Sequence, residues 1–347
     1  WPVESASSQN VRGPEAGSRP LCSAGHTAGQ FAERLDRRDR GLVRVAGKAE
    51  PQSMGRVGRQ PVAVRQGEAD ALARRAAAEG MNVVLADIQE QQAEAVAATI
   101  GRDRALAIRC DVTDEASVIA LADAAYARFG TVDLLCNNAG IVPGGRHRKV
   151  WEYGLGDWQW SLGVNLYGVV HGMRVFVPRM IAAGRPGHIL NTASVAGVVS
   201  GSGSACYGAA KHAVVRATEA LYAGLKEVGA PIGVTMLCPG LVKTGIYDAE
   251  RHRPAQFADG DGPVRESAEL EAMREELYRN ATTAEQAADM AFDAIAEDRF
   301  YAFTTTAFDR AIRQRADDIL ARANPNFDDI VAMSRRDAGL DRGPQTA

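Results

Sequence analysis

The sequence predicts an α/β fold in which a single doubly wound, parallel sheet of about seven strands is flanked by helices. Short apolar runs alternate with longer stretches of helical periodicity from about residue 61 to residue 306. Strands that alternate with helices of this length form right-handed βαβ units, whose strands run parallel. Hydrophobic residues make up 46% of the 347 residues, which is sufficient for the core of such a sheet.

Several apolar runs are typical of buried strands and end at polar turn residues. The first stops at Asp87, the second stops before Asp111, and the third leads into residues 137–140. Because ligands bind at the carboxyl ends of the strands of a parallel sheet, these turns predict where the functional site lies. The predicted strands span residues 82–86, 105–109, 132–136, 188–192, 232–237 and 300–304.

Helical stretches separate these runs. Residues 71–79 are rich in Ala and Arg, which are strong helix formers. The longest stretch, residues 158–183, contains Pro178, which predicts a break or a bend there. The predicted helices span residues 71–79, 91–100, 117–129, 158–183, 207–228 and 283–297.

The chain divides into three parts. Residues 1–58 are rich in Gly, Ser, Arg, Pro and Gln and have no sustained periodicity, so we interpret them as a disordered or mispredicted N-terminal extension. Residues 59–306 contain the alternating pattern and are predicted to form the sheet domain. Residues 307–347 continue as a polar helix and a tail in which no reactive pattern is visible.

Composition excludes several classes of function. The formal net charge is −3, which gives no reason to expect a nucleic-acid partner. The five cysteines have no metal-ligand spacing, so no metal site is predicted, and reduced thiols in a cytoplasmic protein are expected. No stretch of about 18 apolar residues is present, so no membrane span is expected, and the N-terminal residues do not have the pattern of a signal peptide.

Tyr207, Lys211 and Ser194 form the most informative pattern in the sequence. Tyr207 and Lys211 are four residues apart, so on a helix their side chains share one face. A nearby ammonium group favours the phenolate and is therefore expected to lower the pKa of the tyrosine. Such a phenol can act as a general acid or base in alcohol and carbonyl chemistry. Ser194 precedes Tyr207 by thirteen residues and supplies a second hydroxyl group.

These residues belong to a set of motifs by which the sequence resembles the short-chain dehydrogenase/reductase family, from about residue 61 to residue 306. The family has a single Rossmann-type domain, and the match consists of five motifs in order. The motifs are Asn137-Asn138-Ala139-Gly140, Asn165 in Val164-Asn165-Leu166-Tyr167-Gly168, Ser194 in Asn191-Thr192-Ala193-Ser194, Tyr207 with Lys211, and Pro239-Gly240-Leu241-Val242-Lys243-Thr244.

The resemblance implies a reaction that interconverts a secondary alcohol and a ketone by hydride transfer. Tyr207 would be the acid/base, and Lys211 would lower its pKa and hold the cofactor ribose. Ser194 would stabilise charge on the substrate oxygen, as a polar donor aimed at an oxyanion does. Asn165 would hold a water in a proton relay, or else its side chain is satisfied by the backbone of its own helix.

The resemblance also implies an NAD cofactor. Asp87 would accept hydrogen bonds from the adenosine ribose and repel a 2′-phosphate, which makes NADP the less favoured cofactor. Thr244 would bind the nicotinamide carboxamide, and Asp111 with Val112 would contact the adenine. The backbone of Asn138, Ala139 and Gly140 would approach the adenosine side, and Pro239, Gly240 and Val242 would shape the turn below the nicotinamide ring.

One expected motif is missing. The family has a glycine-rich turn that admits the pyrophosphate, and counting back from Asp87 places this turn at residues 62–69. Only Gly67 falls on a glycine position there, and Glu68 places a carboxylate where the phosphates are expected. Either the sequence upstream of about Ala71 is mispredicted, or the chain lacks a working phosphate loop. In the second case it is a catalytically impaired pseudoenzyme that acts by binding or association.

The partners implied by the resemblance are a small alcohol or ketone and further copies of the same chain. Residues 245–280 are long, polar and contain proline, and in the family this region forms a lid over the substrate. The two long helices after residue 157 are the surfaces by which members of the family pair, so a homodimer or homotetramer is expected.

Overall fold

A computed structural model describes residues 41–45, 67–143, 148–201, 204–258, 268–325 and Arg335. Over these residues the strands form one parallel sheet of seven strands, which confirms the predicted fold class. The strands are β1 (Gly41–Val45), β2 (Asn82–Asp87), β3 (Ala105–Arg109), β4 (Leu134–Asn137), β5 (Gly187–Thr192), β6 (Ile232–Cys238) and β7 (Tyr301–Phe303). Their order across the sheet is β3-β2-β1-β4-β5-β6-β7.

Helices cover both faces of the sheet. In the described part of the chain they are α1 (Glu68–Ala78), α2 (Glu90–Ile100), α3 (Glu115–Phe129), α4 (Leu155–Leu162), α5 (Gly168–Ala183), α6 (Ala205–Glu227), α7 (Ala268–Arg279), α8 (Ala284–Ala296) and α9 (Asp309–Ala321). None of these helices is long and apolar enough to cross a membrane.

Two apolar clusters, one on each face, hold the helices on the sheet. Leu72 of α1 and Phe292 of α8 lie in one cluster, whereas Leu121 of α3 and Phe176 of α5 lie in the other. Each of these side chains is buried. Complete burial of such a side chain contributes about 1.5–3 kcal/mol. The sheet is therefore fixed from both sides, which holds the carboxyl ends of its strands in place.

The position of β1 corrects the predicted N-terminal boundary of the domain. Gly41–Val45 pairs in parallel with β2 on one side and with β4 on the other, so the centre of the sheet comes from the segment that the sequence assigns to an extension. Gly41 and Arg44 interrupt the apolar character of this five-residue run. The periodicity is consequently too weak to identify it, although strand pairing with distant residues is sufficient to order it.

The long helix predicted for residues 158–183 is divided, and the division is not at the proline. A π-helical turn, Gly163–Tyr167, separates α4 from α5, while Pro178 lies inside α5 without ending it. At Gly168 an added Cβ would lie 2.8 Å from Val112 Cγ2, so only glycine allows this close approach to the end of β3. A π turn at such a place often marks a functional site.

Candidate active site

A cavity of about 190 Å³ opens at the carboxyl ends of the central strands. It brings together Ser194, Tyr207 and Lys211, as the sequence predicts. Other predicted site residues line the same cavity, namely Asn138, Gly140, Pro239, Gly240, Val242 and Thr244. The remaining predicted residues, Gly67, Asp87, Asp111, Val112, Ala139 and Asn165, lie outside its lining.

Ser194 is positioned by the turn that follows β5. It caps the 3-10 turn Val195–Gly197, and its Oγ accepts a hydrogen bond from the backbone N–H of Ala196 at 3.1 Å. The backbone N–H of Val195 donates to the carbonyl of Pro239 at 3.0 Å, which joins this turn to the one after β6. The serine hydroxyl is therefore held on the cavity wall, where it hydrogen-bonds with Tyr207.

Tyr207 lies in the first turn of α6, and its environment corrects one expectation. Burial of the phenol raises its pKa above the usual value, because the phenolate loses solvation, while the hydrogen bond with Ser194 acts in the opposite direction. The expected net lowering of this pKa is therefore not found. The lysine Nζ lies 5.6 Å from the centroid of the tyrosine ring, and Lys211 is not among the groups that shift the pKa of the phenol.

Lys211 is almost completely buried, at 2% exposure. Its Nζ donates a hydrogen bond to the carbonyl oxygen of Thr192 at 2.8 Å, which ties α6 to the end of β5. Burial lowers the pKa of Lys211 to about 8, and the negative charge of Glu68 acts against this shift. The ammonium group therefore loses its proton more readily than that of an exposed lysine.

Asn165 lies in the π turn, and its side chain forms hydrogen bonds with backbone groups. Its Oδ1 accepts a hydrogen bond from the Ile141 N–H at 3.0 Å, and its Nδ2 donates to the carbonyls of Ile141 and Ser161, both at 2.9 Å. The side chain thereby fixes the chain after β4. The space between Asn165 and Lys211 is narrow, because a Cβ at Gly140 would lie 3.2 Å from Asn165 Oδ1 and 3.7 Å from Lys211 Nζ.

Two predicted adenosine-side residues lie together at the ends of adjacent strands. Asp87 ends β2 and accepts a hydrogen bond from the Gln89 N–H at 2.8 Å, and its carbonyl accepts one from Cys110 at 2.9 Å. Asp111 Oδ1 accepts from the backbone of Thr113 at 2.9 Å and from its hydroxyl at 2.7 Å, which forms a closed turn. These carboxylates shape the sheet edge beside the cavity.

The glycine-rich turn cannot be compared with its predicted position, since residues 62–66 lie outside the described residues. Gly67 is the N-cap of α1, with an extended backbone and no side-chain cap. Glu68 begins the helix and lines the cavity, near enough to influence both Tyr207 and Lys211. The carboxylate that the sequence predicts at the phosphate site therefore lines the same cavity as Ser194, Tyr207 and Lys211.

Three further lining residues are aromatic, and one of them escapes prediction from the sequence. Tyr247 and Tyr278 come from residues 245–280, which the resemblance assigns to a lid over the substrate, whereas Phe308 precedes α9 in the C-terminal part, for which the sequence suggests no function. The signal that could have found Phe308 is its place five residues after the end of β7, since ligand-contacting turns cluster at such strand ends.

Comparisons with known proteins agree with this geometry. Residues 62–255 match the family model of short chain dehydrogenases. A dehydrogenase/reductase of CLA biosynthesis from Lactiplantibacillus plantarum is 36% identical over 260 residues, which cover 74% of this chain and 90% of that protein. A 1-deoxy-11-beta-hydroxypentalenate dehydrogenase from Streptomyces avermitilis is 38% identical over 237 residues, covering 67% of this chain and 79% of that protein.

A solved structure is similar over most of its length. It is a short chain dehydrogenase/reductase from Burkholderia phymatum in complex with NAD, with a TM-score of 0.73 and 38% identity. The match covers 84% of this chain and 98% of that one.

The turn that holds Ser194 generates a first prediction. An added Cβ at Gly197 would lie 2.7 Å from the carbonyl oxygen of Lys211, and the backbone there cannot move away easily. We expect Gly197→Ala to destabilise the protein by about 1–3 kcal/mol, as overpacking does, and to lower turnover by displacing Ser194. Urea unfolding and steady-state rates measure the two effects.

Gly201→Ala is the matched control, because nothing lies within 4 Å of a Cβ at that position. It should leave both quantities close to those of the unsubstituted protein. Equal behaviour of the two variants would show that the contact between this turn and α6 is unimportant.

Proposed function

The chain belongs to the short-chain dehydrogenase family, and from this premise we propose that it interconverts a secondary alcohol and a ketone with a nicotinamide cofactor. The observation that carries the proposal is the meeting of Ser194, Tyr207 and Lys211 on one cavity wall. A hydroxyl, a phenol and an ammonium group are the parts needed to orient a substrate oxygen and move its proton. The relatives described above are likewise named as dehydrogenases.

The residues around the cavity fit a nicotinamide and its ribose. Lys211 and Asn138 offer polar groups on one side and Thr244 offers another on the opposite turn, while Gly140 leaves space between them. When bound, the nicotinamide accepts or supplies the hydride. The fit is poorer for the phosphates, because Glu68 adds a negative charge at the N-terminus of α1.

Ser194 and Tyr207 have different roles in the proposed reaction. Ser194 donates a hydrogen bond to the substrate oxygen and holds it beside the Tyr207 hydroxyl. Because burial raises the pKa of Tyr207, its phenol is protonated at neutral pH and is ready to give a proton to the oxygen of a ketone. Oxidation of an alcohol by the same pair would instead need the phenolate form of Tyr207.

Lys211 and Asn165 assist Ser194 and Tyr207. The Lys211 ammonium is directed at the Thr192 carbonyl and lies near the ribose position, where it can donate further hydrogen bonds. Asn165 keeps residues 140–141 against Lys211 through its bonds to Ile141. We propose that its contribution to the proton relay is this positioning, because its side-chain amide is engaged with the backbone.

Asp87 favours NAD over NADP in this proposal. Its carboxylate ends β2, the strand beside β1 at the edge where the adenosine ribose binds in this fold. A 2′-phosphate there would meet like charge, whereas ribose hydroxyls would find an acceptor. Asp111 and Val112, which follow the neighbouring β3, would form the adenine side.

Self-association through α5 and α6 completes the proposal. Tyr167, just before α5, is 53% exposed, and Tyr222 of α6 is 38% exposed. Aromatic side chains at a protein surface are typical of interfaces. These exposed rings support a homodimer or homotetramer built on the two long helices.

The decisive test of the reaction is Tyr207→Phe. The variant loses the proton donor but keeps the ring, so we expect turnover to fall by at least about a hundredfold while NADH binding and thermal stability are retained. The control is Tyr222→Phe, which removes a hydroxyl from a partly exposed tyrosine on the same helix. Unchanged turnover in Tyr207→Phe would rule out this mechanism.

A second prediction concerns Glu68. Glu68→Gln removes a negative charge from the cavity and should tighten NADH binding by about five- to tenfold, as one charge at close range does in a partly solvated site. Fluorescence titration measures the affinity. Asp70→Asn makes the same change of charge in the same helical turn but outside the cavity lining, and should have little effect.

Titration of the unsubstituted protein with NADH is a separate test of the role of Glu68. With Glu68 in place we expect NADH to bind more weakly than micromolar. Micromolar affinity in the unsubstituted protein, or equal affinities of the two variants, would show that this carboxylate does not oppose the cofactor.

A third prediction concerns cofactor choice. Asp87→Ser removes the charge that would repel a 2′-phosphate, so the ratio of kcat/KM for NADP to that for NAD should rise by at least about tenfold. Asp103→Ser, in the exposed loop before β3, is the control for loss of one carboxylate. No change of the ratio in Asp87→Ser would place the adenosine ribose elsewhere.

A further inference from the structure

Part of the cavity lining is apolar and aromatic. Val195 and Val199, which follow Ser194 in the chain, belong to it, as do Tyr247, Tyr278 and Phe308. Tyr278 and Phe308 come from beyond residue 255, where the match to the family model ends. Two members of this wall, which we call the aromatic wall (Tyr247, Tyr278 and Phe308), thus lie beyond the residues that match the family model.

Phe308 closes the wall from the C-terminal side. It is 3% exposed and packs in one cluster with Val195 and Val199. Ile312 of α9 lies against the same cluster but does not reach the cavity. The ring of Phe308 therefore packs beside the turn that begins at Ser194, where a substrate oxygen would be held.

Tyr278 and Tyr247 support each other. Their ring centroids are 6.0 Å apart at 67°, an edge-to-face arrangement that is favourable for aromatic pairs. The end of α7 is tied down because Lys243 donates from its backbone to the Thr282 carbonyl and from its Nζ to the Arg279 carbonyl, both at 2.9 Å. Tyr278 is consequently held over the cavity.

A buried ion cluster anchors the segment that bears Tyr247. Arg253 bonds to Asp157 of α4 and, at 2.5 Å, to Glu250, and its guanidinium lies 4.8 Å from the Trp160 ring centroid. Asp157 is 1% exposed and also pairs with Arg148 at 2.9 Å. Breaking such a cluster would leave buried charge uncompensated, so the segment is fixed in position.

The charged side chains that line the cavity do not belong to the aromatic wall. Within the described lining of the cavity, Glu68 and Lys211 are the charged side chains, and they come from α1 and α6 rather than from the aromatic wall. An apolar ring would find matching contacts there, whereas a polar or hydroxyl-rich chain would lose hydration without a compensating partner.

We propose that the substrate carries its reacting carbon next to a bulky apolar ring, and that Phe308 and Tyr278 are the residues that select it. The inference rests on the proposed function, because it places the ring of an alcohol or ketone against the aromatic wall while Ser194 and Tyr207 hold its oxygen. Small aliphatic diols leave the aromatic wall without contacts and are poor substrates.

The test compares two substrates on the full chain. We expect the protein to act on 1-phenylethanol and acetophenone with a kcat/KM at least about tenfold above that for 2,3-butanediol and acetoin, since one buried apolar ring is worth that much. Phe308→Ala should lower kcat/KM for the aromatic pair by about tenfold and leave the aliphatic pair within about twofold. Ile312→Ala, the control, trims the same cluster behind the wall and should alter neither pair.

The outcomes separate this inference from the proposed function. A preference for 2,3-butanediol, or an equal loss for both pairs in Phe308→Ala, overturns the substrate class while leaving the reaction intact. If no alcohol or ketone is turned over, the proposed function fails, and acetophenone binding by saturation-transfer NMR decides the inference. Binding that Phe308→Ala weakens by about tenfold supports it, and absence of binding overturns it.

Discussion

The hydrogen bond from Lys211 to the Thr192 carbonyl is the constraint on which the site depends. A buried ammonium loses its hydration, and this carbonyl is the partner that lies closest to it, at 2.8 Å. The bond draws α6 against the end of β5, and a Cβ at Gly197 would lie only 2.7 Å from the carbonyl oxygen of Lys211. The same approach brings Tyr207 and Ser194 together. Tyr207 lies one helical turn from Lys211, and Ser194 lies one tight turn from Thr192.

The electrostatics of the cavity connect this bond to cofactor binding. Burial lowers the pKa of Lys211 to about 8, and Glu68 opposes that shift. The same carboxylate acts against any anion at the N-terminus of α1. Glu68 thus favours the protonated form of the lysine, and in the proposed function it would also disfavour the phosphates of a dinucleotide. No other described residue that lines the cavity carries negative charge.

Much of the fold and of the catalytic set could be predicted, because both depend on local patterns. Alternating periodicity identified β2 to β7, and Ser194, Tyr207 and Lys211 stand at fixed separations on a turn and a helix. The strand β1 could not be found, since its pairing with β2 and β4 joins residues far apart in sequence. The raised pKa of Tyr207 was also out of reach, because spacing shows which charge is near but does not show how much water is excluded.

The exclusion of water from the cavity affects both the choice of substrate and the pKa of Tyr207. Tyr247 belongs to the aromatic wall, and its proximity is one of the causes that raise the pKa of Tyr207, after the dominant effect of burial. Burial of the phenol and the charge interaction with Tyr247 thus both favour the protonated form of Tyr207. In the proposed function Tyr247 would therefore act both on the substrate and on the acid/base, whereas Tyr278 and Phe308 would act on the substrate.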